Sequence, residues 1–270
     1  MSRTTSDTTG RASEQLSELL LSFKLPTTAA SLPARLTQAG LEEVIPLLVE
    51  VLDQESEERR DRRIARLRAA SRLPPGKTTG TFDERQLPRP LVQKLHELAS
   101  GKFLDETINV LCFGLPGVGK SHAACALGHA LVEAGHSVLF TPTFQIVQQL
   151  LVAKRDLELP RALQKLDAFE LLILDDLGYV QQSAEEVEVL FTLMAERYER
   201  RSMLVTSNLV FSQWDQIFKN PMTTAAAIDR IVHHSVILEF DVPSYRSEQV
   251  KKRKAEPQPE RKTNGKTKKA

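Results

Sequence analysis

Apolar positions along the chain fall into two regimes. From Ser13 to about Arg72 they recur at spacings of three and four, as in "SEQLSELLLSFKL" and "SLPARLTQAGL", which predicts one-sided helices. A longer helix follows from Leu41 to Arg72, apolar at its start with Pro46 early, then dense in arginine at 59, 60, 62, 63, 66, 68 and 72. The segment "LPPGKTTGTF" breaks the pattern with Pro, Gly and Thr and places a domain boundary near residues 73–82. Beyond it, short aliphatic runs alternate with helical stretches. "INVLCFG" (108–114), "SVLFTP" (137–142), "LLILDDLG", "SMLVTSN" and "SVILEF" read as strands. "SHAACALGHALVEAG" (121–135), "FQIVQQLLVAKRD", "AEEVEVLFTLMAERYERR" and "AAAIDRIVHH" read as helices, the first ended by Gly135 and the third capped by Ser183. Buried strands joined by helices predict an α/β fold with a parallel sheet covered on both faces. The expected layout is a disordered polar start (1–13), a helical domain (14–75), an α/β domain (76–248) and a disordered basic tail (249–270).

Composition changes this picture only at the ends. Of 270 residues, 41% are apolar, 26% charged and 6% aromatic, so the core should be aliphatic. The net charge of +1 gives no global attraction to nucleic acid, but residues 251–270 hold nine Lys/Arg against two Glu. Two cysteines, Cys112 and Cys125, offer neither a disulfide framework nor a metal-binding set. With no run of 18 apolar residues and a polar N-terminus, the chain is expected in the cytoplasm, away from the membrane.

The chemistry concentrates at strand ends. "GLPGVGKS", Gly114 to Ser121, matches G-x-x-x-x-G-K-[ST] between a strand and a helix. Its glycines let backbone N–H groups wrap phosphates, Lys120 can neutralise the β- and γ-phosphates, and Ser121 can hold Mg²⁺. Asp175, closing the third strand, can reach that metal, and the adjacent Asp176 can polarise an attacking water or cap the turn "DDLG". In "TSN", either Thr206 or Asn208 can face the γ-phosphate. Arg230 can stabilise transition-state charge in a neighbouring subunit or pair with a surface acid such as Asp229. The arginines of 59–72 can straddle DNA phosphates or pair with the interleaved Glu55, Glu57, Glu58 and Asp61. Arg197, Arg200 and Arg201 are further candidates for facing DNA or another subunit.

In order, "GLPGVGKSH", "LLILDDLGY", "ERYERRSMLVTSN", Trp214, "AAAIDRIVHHS" and "SYR" (244–246) resemble the IstB-like family, ATP-binding helpers of insertion sequences related to the DnaC helicase loaders among AAA+ ATPases. The charged helix and "TFD" extend the likeness over roughly residues 15–248. The resemblance implies a P-loop core with strand order 5-1-4-3-2 and little or no lid. It also implies ATP and Mg²⁺ as cofactors, a homo-oligomer in the ATP state, and non-sequence-specific binding to double-stranded DNA. The assembled protein would present target DNA to the transposase of the same insertion sequence; a DnaC-like helicase-loading adaptor is the alternative. By position, Gly114, Leu115, Pro116, Gly117, Val118, Gly119, Lys120, Ser121 and His122 would bind nucleotide, with Ser121 and Asp175 on the metal. Asp176 would prime water, Asn208 would serve as sensor I, Arg230 as the finger, and Arg246 as a sensor II-like contact. Members of the family often carry Glu where Asp176 stands, which implies slow hydrolysis that awaits a partner or DNA.

Overall fold

A computed structural model of the chain describes residues 3–178, 183–214, 217 and 221–245. It divides into two compact units, one up to Arg66 and one from Leu67 onward. The first unit is helical: α1 (Arg3–Ser22), α2 (Pro26–Gln38) and the greater part of α3 (Ile45–Ser71). Leu16, Leu20, Ala29, Ile45 and Val49 form its buried centre. Helix α1 starts at Arg3, so the polar stretch expected to be disordered continues the helix. The long helix starts later than the apolar pattern suggests. Pro46 lies in the first turn of α3, where a missing N–H costs nothing, and residues 42–44 form a separate tight turn. Arg59 pairs with Glu55 at 2.6 Å and lies over the Phe23 ring, while Arg62 reaches Glu55 and Glu58. Both arginine side chains stay more than half exposed beside these pairs.

The second unit starts nine residues ahead of the expected domain edge at 75/76, because Leu67 and Leu73 pack into its core. It holds α4 (Arg89–Ala99), α5 (Lys102–Asp105), β1 (Asn109–Gly114), α6 (Lys120–Glu133), β2 (Val138–Pro142), α7 (Thr143–Arg155), α8 (Leu159–Asp167), β3 (Leu171–Leu177), α9 (Ala184–Arg197), β4 (Ser202–Ser207), α10 (Pro221–Val232) and β5 (Ser235–Phe240). The five strands are all parallel in the order β2-β3-β4-β1-β5, which is the expected 5-1-4-3-2. Alternation within each strand divides the core. Val110, Cys112, Leu171 and Ile173 join one apolar cluster with α4 and α6; Leu111, Phe113, Leu172 and Leu174 join another with α7, α9 and α10. After β5 five further residues, 241–245, are described.

Arg197 corrects an expectation. Instead of facing DNA or a neighbouring subunit, it is 1% exposed and donates to the carbonyls of Leu166, Phe169 and Ser202 at 2.8–2.9 Å. Burial pushes its pKa down to about 10, opposed by the Asp167 charge, so it stays protonated at neutral pH. It ties the ends of α8 and α9 to the start of β4. An alanine there would leave buried carbonyls without a donor, at about 1–3 kcal/mol each. Arg197→Ala is therefore expected to lower the unfolding free energy by about 3–5 kcal/mol, read from urea denaturation.

Candidate nucleotide site at the carboxyl edge of the sheet

The turn leaving β1 cannot be built from ordinary residues. A Cβ on Gly114 (φ +149°) would lie 2.6 Å from the Phe240 carbonyl oxygen, and Gly119 (φ +105°) places α6 so that its first N–H groups face the turn. Lys120 opens α6 and folds back over the loop. Its ammonium donates to the carbonyls of Gly114 (2.7 Å) and Leu115 (2.9 Å) and to Asn208 Oδ1 (2.6 Å). Asn208 thereby reaches the loop from the end of β4.

Beside it, β3 and β4 lock two carboxylates in different environments. Asp175 is buried and Asp176 exposed. Thr206, with no exposed surface, donates its hydroxyl to Asp175 Oδ1 at 2.7 Å and accepts the Asp176 N–H at 2.9 Å. Asp176 itself sits at φ +59°, a left-handed conformation uncommon for a residue with a side chain, where the register between β3 and β4 slips. Strand alternation alone would place the two adjacent acids on opposite sides, one buried and one exposed. Ser207 Oγ closes the irregularity by donating to the Leu177 carbonyl at 2.9 Å.

Pro116 to His122, Asp176 and Asn208 line a cleft of about 470 Å³; the buried Asp175 and Thr206 are not among its lining residues. Its opposite wall is Gly76, Lys77, Thr81 to Asp83, Gln86 and Leu87, with Val242, Pro243 and Tyr245 closing one end. The Tyr245 N–H donates to the Gly117 carbonyl at 3.1 Å, so the chain after β5 is pinned on the loop. His122 joins the far wall: its Nε2 lies 3.0 Å from Thr81 Oγ1 and its ring packs against Phe82. Partial burial holds the His122 pKa below the usual histidine value, which keeps the ring neutral at pH 7. Cys112 and Cys125 are buried, and burial pushes both thiols up to about 12, so neither is a nucleophile.

Arg230 is not brought to the cleft of its own chain. Its guanidinium lies over the Phe191 ring at 4.6 Å, and its Nη1 is buried with no hydrogen-bond partner among the described residues. Arg246 lies outside the described residues, as does the basic tail. The wall at residues 76–87 overlaps the stretch read from the sequence as a domain boundary (73–82), with only "TFD" entering the resemblance.

A family model described as IstB-like ATP binding protein matches residues 18–255. The chain belongs to this family. Among its IstB-like relatives, an insertion sequence ATP-binding protein of Sinorhizobium fredii (y4iQ/y4nD/y4sD) is 44% identical, covering 86% of this chain and 79% of that one. The ATP-binding protein of insertion sequence IS21 from Pseudomonas aeruginosa is 37% identical over 88% of this chain and 91% of its own length. Among solved structures, DnaI superposes with a TM-score of 0.52 at 20% identity, covering 63% of this chain and 95% of that one. The replication initiator DnaA, bound to AMPPCP and single-stranded DNA, gives 0.53 at 16% identity, over 69% and 58%. The likeness to these structures establishes the fold, an AAA+ P-loop core. The chain is an IstB-like ATP-binding protein, and none of its described helices is long and apolar enough to cross a membrane.

Proposed function

We propose that this IstB-like chain hydrolyses ATP in the cleft, assembles on duplex DNA in its ATP state, and hands that DNA to the transposase of its own insertion sequence. The observation that carries the reading is the separation of Asp175 and Asp176 by one threonine beside Lys120. ATP would place its phosphates where the Lys120 ammonium now meets backbone carbonyls, with the α6 N-terminus behind them. The donor set, a serine hydroxyl at the cleft and a buried carboxylate, suits a hard cation. Ser121 and Asp175 would hold Mg²⁺, which withdraws charge from the transferring phosphoryl group. Asp176, free of the burial that constrains Asp175, would accept a proton from the attacking water. Asn208 would exchange its bond to Lys120 for one to the γ-phosphate.

Being one methylene shorter than Glu, Asp176 stands farther from that water, and a misplacement near 1 Å costs about 100-fold in rate. Slow turnover suits a switch whose ATP state must outlast the search for a partner. Arg230 would serve the neighbouring subunit in the assembly, leaving Phe191 to do so. The DNA and transposase steps are supported by the relatives, which carry the names of insertion-sequence ATP-binding proteins. A helicase-loading adaptor has fold likeness alone behind it.

Light scattering tests the assembly. With a nonhydrolysable ATP analogue and duplex DNA the particle should grow to a multiple of the 30.2 kDa chain, and with ADP it should not. A monomer under both conditions would overturn the reading. A second test concerns Thr206. Thr206→Val keeps the shape but removes both hydrogen bonds, so turnover should fall about 100-fold with analogue affinity little changed. Thr206→Ser should restore it. Steady-state phosphate release and analogue titration separate the two effects.

A further inference from the structure

At the opposite, amino edge of the sheet, Glu199, His233 and His234 gather away from the nucleotide cleft. Each offers one ligand atom, and these atoms all lie within 4.8 Å of one another. The two imidazoles stand edge to face with centroids 4.4 Å apart. We propose that these three side chains form a binding site for a divalent transition-metal ion of the zinc class. Two imidazole nitrogens and one carboxylate oxygen suit zinc, nickel or copper, whereas magnesium and calcium favour sets made of oxygen alone. Three protein ligands leave a position for water or for a side chain of another molecule.

The backbone that carries these ligands is already fixed. Glu199 lies between α9 and β4, and His233–His234 form the turn between α10 and β5. Buried Asn109 ties the two segments together at the start of β1. Its Nδ2 donates to the Ile231 carbonyl at 3.2 Å, its Oδ1 accepts the Met203 N–H at 2.9 Å, and its own N–H donates to the His234 carbonyl at 2.7 Å. On the Glu199 side, the Arg200 and Arg201 N–H groups both bond the Arg197 carbonyl at 3.0 Å. Such support lowers the ordering cost of capturing an ion with exposed side chains.

Capture would staple the turn after α9 to the end of α10. Helix α10 carries Arg230, whose guanidinium rests on Phe191 of α9, so the ion would stiffen the pair of helices that holds this arginine. The site would respond to a metal different in kind from the one expected beside ATP, and it stands whether or not that cleft hydrolyses ATP.

The test uses the full chain stripped with a chelator and kept in excess Mg²⁺ without nucleotide. Titration with Zn²⁺ against a chromophoric chelator should give one ion per chain. Co²⁺ should give the visible band of a low-coordinate nitrogen and oxygen site, with no thiolate charge transfer, since both cysteines are buried. Glu199→Gln should weaken Zn²⁺ by at least about 10-fold, the lower end of what even an outer-shell change does. His233→Ala combined with His234→Ala should abolish binding. Unchanged Zn²⁺ affinity in the Glu199→Gln chain, or in the double-histidine variant, would overturn the proposal. Circular dichroism and analogue binding check the fold of each variant; should the double variant not fold, Glu199→Gln decides alone.

Discussion

Asp176→Asn is expected to lower ATP turnover by about 10²–10⁴-fold, the usual weight of a general base, while leaving ATP affinity nearly unchanged. The amide keeps the size of the side chain and removes only its proton-accepting charge. Because the backbone at this position is held by Thr206 and by the slipped register, the φ of +59° should survive, asparagine being among the residues that tolerate it. The variant should bind nucleotide and remain in the ATP state, so its assemblies on DNA should persist where those of the parent decay. The complementary change, Asp176→Glu, lengthens the carboxylate by one methylene and should raise unstimulated turnover. Phosphate release by both variants, with analogue affinity measured in parallel, checks the pair. If Asp176→Asn hydrolyses ATP at the parental rate, Asp176 caps a turn and the base lies elsewhere.

How legible this site was depends on how local its causes are. The loop from Gly114 to Ser121 could be read directly, since its glycines, lysine and serine follow one another and each has a reason tied to its own position. The strands were equally legible, because the aliphatic runs of β1 to β4 are buried on both faces, and Ser183 was placed as the cap of α9, where its Oγ accepts the Glu186 N–H. What escaped was set by distant partners. "TSN" alone left Thr206 and Asn208 both open and the resemblance chose Asn208, but neither foretold that Thr206 is buried beneath the two aspartates or that Asn208 meets Lys120. Arg197 sits in a run of charges that suggests a solvated face, yet carbonyls some 30 residues earlier in the chain fold around it. Helix α4 hides in "RPLVQKLHELA", where Leu91, Leu95 and Leu98 share a face too short to stand out. The wall at 76–87 has no pattern of its own, and Thr81 and Phe82 become part of the cleft only by meeting His122.

Lys120→Ala is expected to act at the step before, on binding. The ammonium is buried and donates to Gly114, Leu115 and Asn208, so ATP must offer it something better than these neutral acceptors. Phosphate oxygens do, because a hydrogen bond between two charged groups is roughly twice as strong as a neutral one. Bonds to charged groups are worth about 1.5–3 kcal/mol each, and every 1.4 kcal/mol is tenfold, so losing even one should weaken ATP about 10–100-fold. Alanine also frees Asn208 from its tie to the loop, which loosens the end of β4 beside the γ-phosphate position. The variant should therefore lose analogue binding, turnover and ATP-dependent assembly together, whereas Asp176→Asn loses turnover alone. That contrast makes the two substitutions a joint test. Assembly on DNA that survives Lys120→Ala would mean that the ATP state does not drive it, and the switch proposed for this chain would have to be abandoned even if the cleft hydrolyses ATP.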